Sequence, residues 1–98
     1  MPDDMAPRAL PRVRVVLPAS LGSLFPGSPR QLELAAATVG AAIDALNALW
    51  PGMRDRLCDS RPAIRRHINI FVDGERATLE SRLPPGAEIL VMTAISGG

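Results

Sequence analysis

The sequence predicts an α+β fold, in which one face of a mixed sheet of four or five strands wraps around a single main helix. Three observations predict it. Short stretches with period-two alternation of apolar residues recur along the chain. A single long stretch, 39–50, carries the 3.6-residue period of an amphipathic helix. Clusters of Pro, Gly and Asp separate these stretches. One helix cannot cover both sides of such a sheet, so the other side is expected to stand open.

Composition supports one small domain. The chain has 98 residues, and hydrophobic residues make up 47% of them, which excludes wholesale disorder and allows a modest core. Two Phe and one Trp are the only aromatics, so that core must be built from Val, Leu, Ile and Ala. Net charge is +1, with acids and bases spread along the chain, which leaves no electrostatic footprint for nucleic acid. All 11 basic residues are arginines. With no lysine, the chain cannot be joined to itself through a lysine amine. Cys58 is the single cysteine and cannot form an internal disulfide, which fits a reducing compartment. The N-terminus carries no basic region ahead of an apolar one, and no apolar run approaches the ~18 residues that span a bilayer. A cytoplasmic protein with no membrane partner is expected.

Residues 1–11 hold three prolines and two aspartates without periodicity and read as a flexible extension. The domain is expected over 12–93. In Arg12–Leu17, Val13, Val15 and Leu17 share one face, and Arg14 and Val16 the other, as in a half-buried strand. Pro18 ends it. Residues 19–29 have a loop composition, with Leu21, Leu24 and Phe25 free to tuck under the domain edge. Arg30–Ala36 gives a second strand with Leu32 and Leu34 inward, placed to pair with the first. Thr38 stands where an N-cap belongs. Val39, Ile43, Leu46 and Trp50 then form an apolar stripe, flanked by Ala42 and Leu49, and Pro51-Gly52 stops the helix. Met53–Cys58 adds a helical turn with Leu57 inward and Arg54, Asp55 and Arg56 solvated. Arg66–Val72 is a third strand, with Ile68, Ile70 and Val72 on one face and His67, Asn69 and Phe71 on the other. Asp73-Gly74 is a tight-turn signal, and Glu75–Leu79 a short return strand. Pro84-Pro85-Gly86 makes another turn, before a last strand over Ile89–Ala94. Ile89 and Val91 take one of its faces, Leu90 and Met92 the other. This order is that of a β-grasp: first and last strands side by side in the centre, the third flanking the last.

Three stretches carry a resemblance: VRVVLPASL at Val13–Leu21, TVGAAIDALNALWPGMRDRL at Thr38–Leu57, and HINIFVDGE at His67–Glu75 with PPGAEILVMTAISGG at Pro84–Gly98. Together they resemble the sulfur-carrier branch of the ubiquitin-like proteins, the MoaD/ThiS family. In length and in the third strand they are similar to MoaD-like carriers, including those serving cysteine synthesis. Thr93 departs from the pattern, since many relatives have proline just before the tail.

The resemblance implies a function centred on residues 94–98, a flexible tail ending in Gly97-Gly98. A C-terminal carboxylate has a pKa of about 3.3–3.7 and is ionised at neutral pH, which makes it a poor electrophile. In this family an E1-like adenylyltransferase/sulfurtransferase uses ATP to adenylate that carboxylate. Sulfur from a persulfide then gives a thiocarboxylate, here expected at Gly98. The sulfur-accepting partner would be a synthase, of the molybdopterin synthase large subunit type or the cysteine synthase type. The protein itself is then expected to be a co-substrate rather than an enzyme, with no bound cofactor or metal. The residue choices suit this chemistry: two glycines carry no Cβ and can thread a narrow channel, and five extended residues span about 17 Å. Ile95, Ser96 and Gly97 are expected to contact the partner together with an apolar patch of Val16, Phe71, Leu90 and Met92 on the open face of the sheet. The alternative is that residues 19–29 or the N-terminal extension fold over this face and make it a second small core. Two other readings stay open: a protein modifier joined through Gly98 to lysines of other proteins, and a non-covalent regulatory module.

Weaker signals point to no further chemistry. His67 has no second ligand at metal spacing. Cys58 reads as a structural thiol, and Gly22 and Gly27 make no phosphate loop. Arg65-Arg66 stand beside the third strand, where they could meet an acidic partner surface.

Overall fold

The computed structural model describes residues 10–60 and 63–93. Its elements are β1 (Arg12–Val16), α1 (Ala19–Leu24), β2 (Gln31–Ala35), α2 (Val39–Leu49), α3 (Met53–Leu57), β3 (Ile68–Val72), β4 (Glu75–Arg76) and β5 (Glu88–Thr93). The strands form one five-stranded sheet in the order β2-β1-β5-β3-β4. β1 and β5 are parallel neighbours at its centre, and the remaining pairs are antiparallel. This is the expected β-grasp sheet.

Register converts the alternation into a core. Val15 lies opposite Leu32 on one side and Ile89 on the other, and Ile70 lies opposite Val91. Val13, Val15, Leu34, Ile68, Ile70, Ile89 and Val91 are buried together with Val39, Ala42, Ile43 and Leu46 of α2. Each fully buried aliphatic side chain contributes roughly 1.5–3 kcal/mol. Leu17 lies just past β1 but is equally buried, and its N–H donates to the Arg30 carbonyl at 2.7 Å.

The start of α2 explains its Thr-Val-Gly opening. Thr38 Oγ1 accepts from the Ala41 N–H at 3.1 Å, the expected N-cap. Val39 is fully buried. Gly40 donates its N–H to the Leu79 carbonyl at 2.9 Å, and a Cβ at Gly40 would sit 3.2 Å from that oxygen. Glycine therefore lets the helix start lie directly against the 78–81 turn. At the other end, Asn47 Oδ1 accepts from the N–H groups of Gly52 and Arg54, at 3.0 and 3.1 Å. A side chain of α2 thus satisfies donors that the start of α3 would leave orphaned. Gly52, with φ of 100°, supplies the left-handed residue between the two helices.

Several expectations are corrected. Residues 19–29 are not wholly loop: α1 forms there, with Leu21 buried as its anchor and Phe25 packed against the core. Leu24 instead stands 48% exposed. Leu49 is exposed too, because it lies about 80° off the centre of the buried stripe of α2. Arg54 is not simply solvated: it is half-buried and pairs with Asp44 of α2 at 2.5 Å. Trp50 and Val72 are only half-buried. The return strand is just two residues long. Past the Ala77 N–H bond to the Ile70 carbonyl, Thr78 and Ser81 close a turn that pulls the chain off the sheet.

Both glycine turns behave as their residues dictate. Asp73 and Gly74 have φ of 51° and 88°, the paired positive values of a type I′ hairpin. Gly86, with φ of 81°, follows Pro85 in a turn closed by the Ala87 N–H to the Pro84 carbonyl at 3.1 Å, as type II geometry requires.

Candidate functional site

β5 is the central strand that runs out of the sheet towards the C-terminus. Its last residue, Thr93, is paired with Ile68 of β3. The candidates Ile95, Ser96, Gly97 and Gly98 lie outside the described residues. The structure places the ground from which they depart.

Strand pairing assembles the apolar patch expected on the open face. Val16 is opposite Leu90, and Leu90 is opposite Phe71, so the three form a row across β1, β5 and β3. Met92 is the next residue on the same face of β5, opposite Asn69. Val16, Phe71 and Leu90 are half-buried and Met92 is 45% exposed. The buried side chain of α1, Leu21, belongs to the main core, so the 19–29 segment does not turn this face into a second core.

Polar groups frame the patch. Arg14 and Glu88 approach to 3.9 Å, Arg12 and Glu33 to 3.3 Å, and Arg76 donates to Asn69 Oδ1. These exposed ion pairs add at most about 1 kcal/mol each to stability. An apolar centre with a polar rim is the anatomy of a docking surface. Beside it, at the root of the tail, is a cleft of about 280 Å³ lined by Val16, Pro18, Arg30, Leu90, Met92 and Thr93.

Sequence reasoning missed one side chain at this cleft. Arg30 donates from Nε to the Leu17 carbonyl at 3.0 Å, which holds its guanidinium beside the end of β1. Across β5, Arg65 donates from Nε to the Asp55 carbonyl at 2.7 Å. Arg66 and His67 are exposed next to Ile68, the partner of Thr93. No pattern in the loop composition before Arg30 could reveal its role, which depends on the β1–β2 pairing.

The remaining signals fall out as structural. Cys58 is buried, and burial pushes its thiol above the ordinary 9.0, with Arg54 pulling the other way. A protonated, enclosed thiol is a poor nucleophile. Among the described residues no group of three His, Cys, Asp or Glu could hold a metal ion, and no helix is long and apolar enough to cross a membrane.

Comparison with known proteins fits this geometry. The ThiS family model matches residues 15–98. Small archaeal modifier protein 1 of Haloferax volcanii is 36% identical over 62 residues, which are 63% of this chain and 71% of that protein. Its crystal structure superposes with a TM-score of 0.74 at 31% identity, covering 89% of this chain and 99% of that one. A chain in the crystal structure of the Amycolatopsis orientalis BexX/CysO complex gives a TM-score of 0.79 at 28% identity, covering 88% and 99%. CysO of Mycobacterium tuberculosis gives 0.75 at 26% identity, covering 85% and 99%. A β-grasp sheet with β1 and β5 at its centre, and a family match running through the diglycine, lead to one assignment: the chain belongs to the ThiS family, among the ubiquitin-fold sulfur-carrier proteins of MoaD/ThiS type.

Proposed function

We propose that this protein is a sulfur carrier that works through the C-terminal carboxylate of Gly98. An E1-like enzyme docks on the open face of the sheet and takes residues 94–98 into its active site. The carboxylate attacks the α-phosphate of ATP, forming an acyl-adenylate and releasing pyrophosphate. A persulfide sulfur then displaces AMP, and reductive cleavage of the resulting acyl disulfide by a thiol leaves a thiocarboxylate. That group hands its sulfur to an acceptor held by a second enzyme, in cofactor (molybdopterin), cysteine or other thio-metabolite biosynthesis.

The observation that carries the reading is the continuity of the family match from the central strand β5 to Gly98, beside an apolar patch that the described residues leave only partly covered. Likeness to a chain of the BexX/CysO complex supports an acceptor enzyme as partner. Val16, Phe71, Leu90 and Met92 would form the contact face, with Ile95, Ser96 and Gly97 lying in the channel of the activating enzyme. The test is to incubate the protein with an E1-like enzyme, ATP and a persulfide donor and to weigh it. Replacement of one oxygen by sulfur at Gly98 is expected; an unchanged mass with an enzyme competent on its own carrier refutes the reading.

A second reading is favoured by likeness to a protein named as a modifier. Gly98 would then form isopeptide bonds with lysines of other proteins. Lysine adducts recovered from cells, in place of the thiocarboxylate, would favour it. Loss of Gly97-Gly98 without loss of function would instead favour a non-covalent regulatory module.

A further inference from the structure

The charges of this protein are not spread evenly along the sheet. At the end where β1 and β5 begin, arginines are neutralised: Arg12 pairs with Glu33, and Arg14 with Glu88. At the opposite end, where β5 finishes, the arginines keep no carboxylate partner among the described residues. Arg30 stands on the β1–β2 flank of Thr93, and Arg65 and Arg66 stand on the β3 flank with His67. Two of these guanidiniums are tethered through Nε to backbone carbonyls, Arg30 to Leu17 and Arg65 to Asp55. A tether through Nε leaves the two Nη groups free and aimed by the backbone, which suits end-on pairing with a carboxylate at small entropic cost. Two acidic side chains share clefts with this group: Asp55 on α3 lines one of about 570 Å³ with Arg56, Arg65 and His67, and Glu80 lines one of about 450 Å³ with Arg65 and Arg66.

We propose that Arg30, Arg65 and Arg66 form a cationic collar around the root of the tail, and that its ligand is a ring of carboxylates on the partner protein at the mouth of the channel that receives residues 94–98. This rests on the proposed carrier function and deepens it. The apolar patch supplies contact area, whereas the collar sets orientation and speeds encounter, because complementary charge raises association rates more than it lowers dissociation rates. Placed on both flanks of Thr93, the collar turns the tail towards the acidic opening before the apolar surfaces meet. At the far end of the sheet Arg12 and Arg14 are paired and Arg82 shares a cleft with Asp73 and Glu75, a mixed surface that gives no comparable attraction, so the protein approaches tail first.

The test is a heteronuclear NMR titration of the full chain with hexaglutamate as carboxylate probe, and with tripolyphosphate and a short single-stranded DNA as competing anions. Hexaglutamate is expected to shift the amides of Arg30, Arg65, Arg66 and Thr93 while leaving Arg12 and Arg14 in place. Binding should weaken about tenfold or more on raising salt to 0.5 M, and similarly in the double variant Arg30→Gln/Arg66→Gln. Three results would overturn the proposal: no shifts at the collar, equal binding by the double variant, or tighter binding of tripolyphosphate or DNA than of hexaglutamate. The titration needs no activation of Gly98. A protein that is never adenylated can still show the collar, and a competent carrier can still lack it.

Discussion

The two faces of the sheet share the same strands and differ in what covers them among the described residues. On the helix side, Val15, Ile70, Ile89 and Val91 are no more than 2% exposed. On the other side, their immediate neighbours Val16, Phe71, Leu90 and Met92 are half-buried or exposed, yet just as apolar. A face that merely needed solvation would carry polar residues at these positions, as it does at Arg12, Arg14 and Glu33. Apolar side chains held in register, and left uncovered by the described residues, fit the proposed function, in which folding uses one face and association the other.

The sharpest way to break this comparison is to substitute across it. Ile70→Ala should destabilise the fold by about 2–5 kcal/mol, read as a fall in the urea midpoint, because it leaves a cavity in the core beneath the sheet. The neighbouring outer-face change Met92→Glu should alter stability by no more than about 0.5 kcal/mol. It should instead raise the KM for adenylation by the activating enzyme about tenfold or more, with kcat little changed. A Met92→Glu protein that unfolds, or one that is activated normally, would remove the distinction between the faces.

Smaller effects test the frame that holds the faces apart. Thr38→Ala should cost about 1 kcal/mol through the lost N-cap of α2, measured by denaturant titration. Cys58 should show a weak pH dependence. Its thiol keeps its proton to higher pH in the folded state than in the unfolded chain. The stabilisation is therefore whole below the unfolded pKa near 9.0 and is lost as pH rises through the higher folded value. A Cys58→Ser variant should lose that alkaline fall in stability, and native Cys58 should react with thiol reagents only on unfolding.

Local pattern carried most of the fold. Alternation at 13–17 and 68–72, the Thr38 cap and the Asp73-Gly74 turn each state their structure within a few residues, so the succession of elements could be read before any contact was known, and the β-grasp arrangement it matches supplied the strand order. What the sequence concealed is non-local. The α1 segment has no helical stripe of its own, and it is helical because Leu21 finds a place in the core. Met53 is wholly buried although it follows a helix stop, since Asn47 and Gly52 fold α3 back against α2. Leu24 and Leu49 are apolar yet exposed, because their neighbours fill the available interior. At the site, alternation together with the β-grasp strand order placed Val16, Phe71, Leu90 and Met92 on one face. The tethers of Arg30 and Arg65 needed the pairing of distant strands and turns, which no local spacing encodes.

The central claim is that the fold exists to present one carboxylate for activation, and the most direct measurement is the intact mass of the protein after incubation with an E1-like enzyme, ATP and a persulfide donor, compared with a chain extended by one alanine beyond Gly98. Native protein should gain the mass difference between sulfur and oxygen, localised to Gly98 by fragmentation, and the extended chain should gain nothing. Sulfur transfer that proceeds equally with the extended chain would contradict the account.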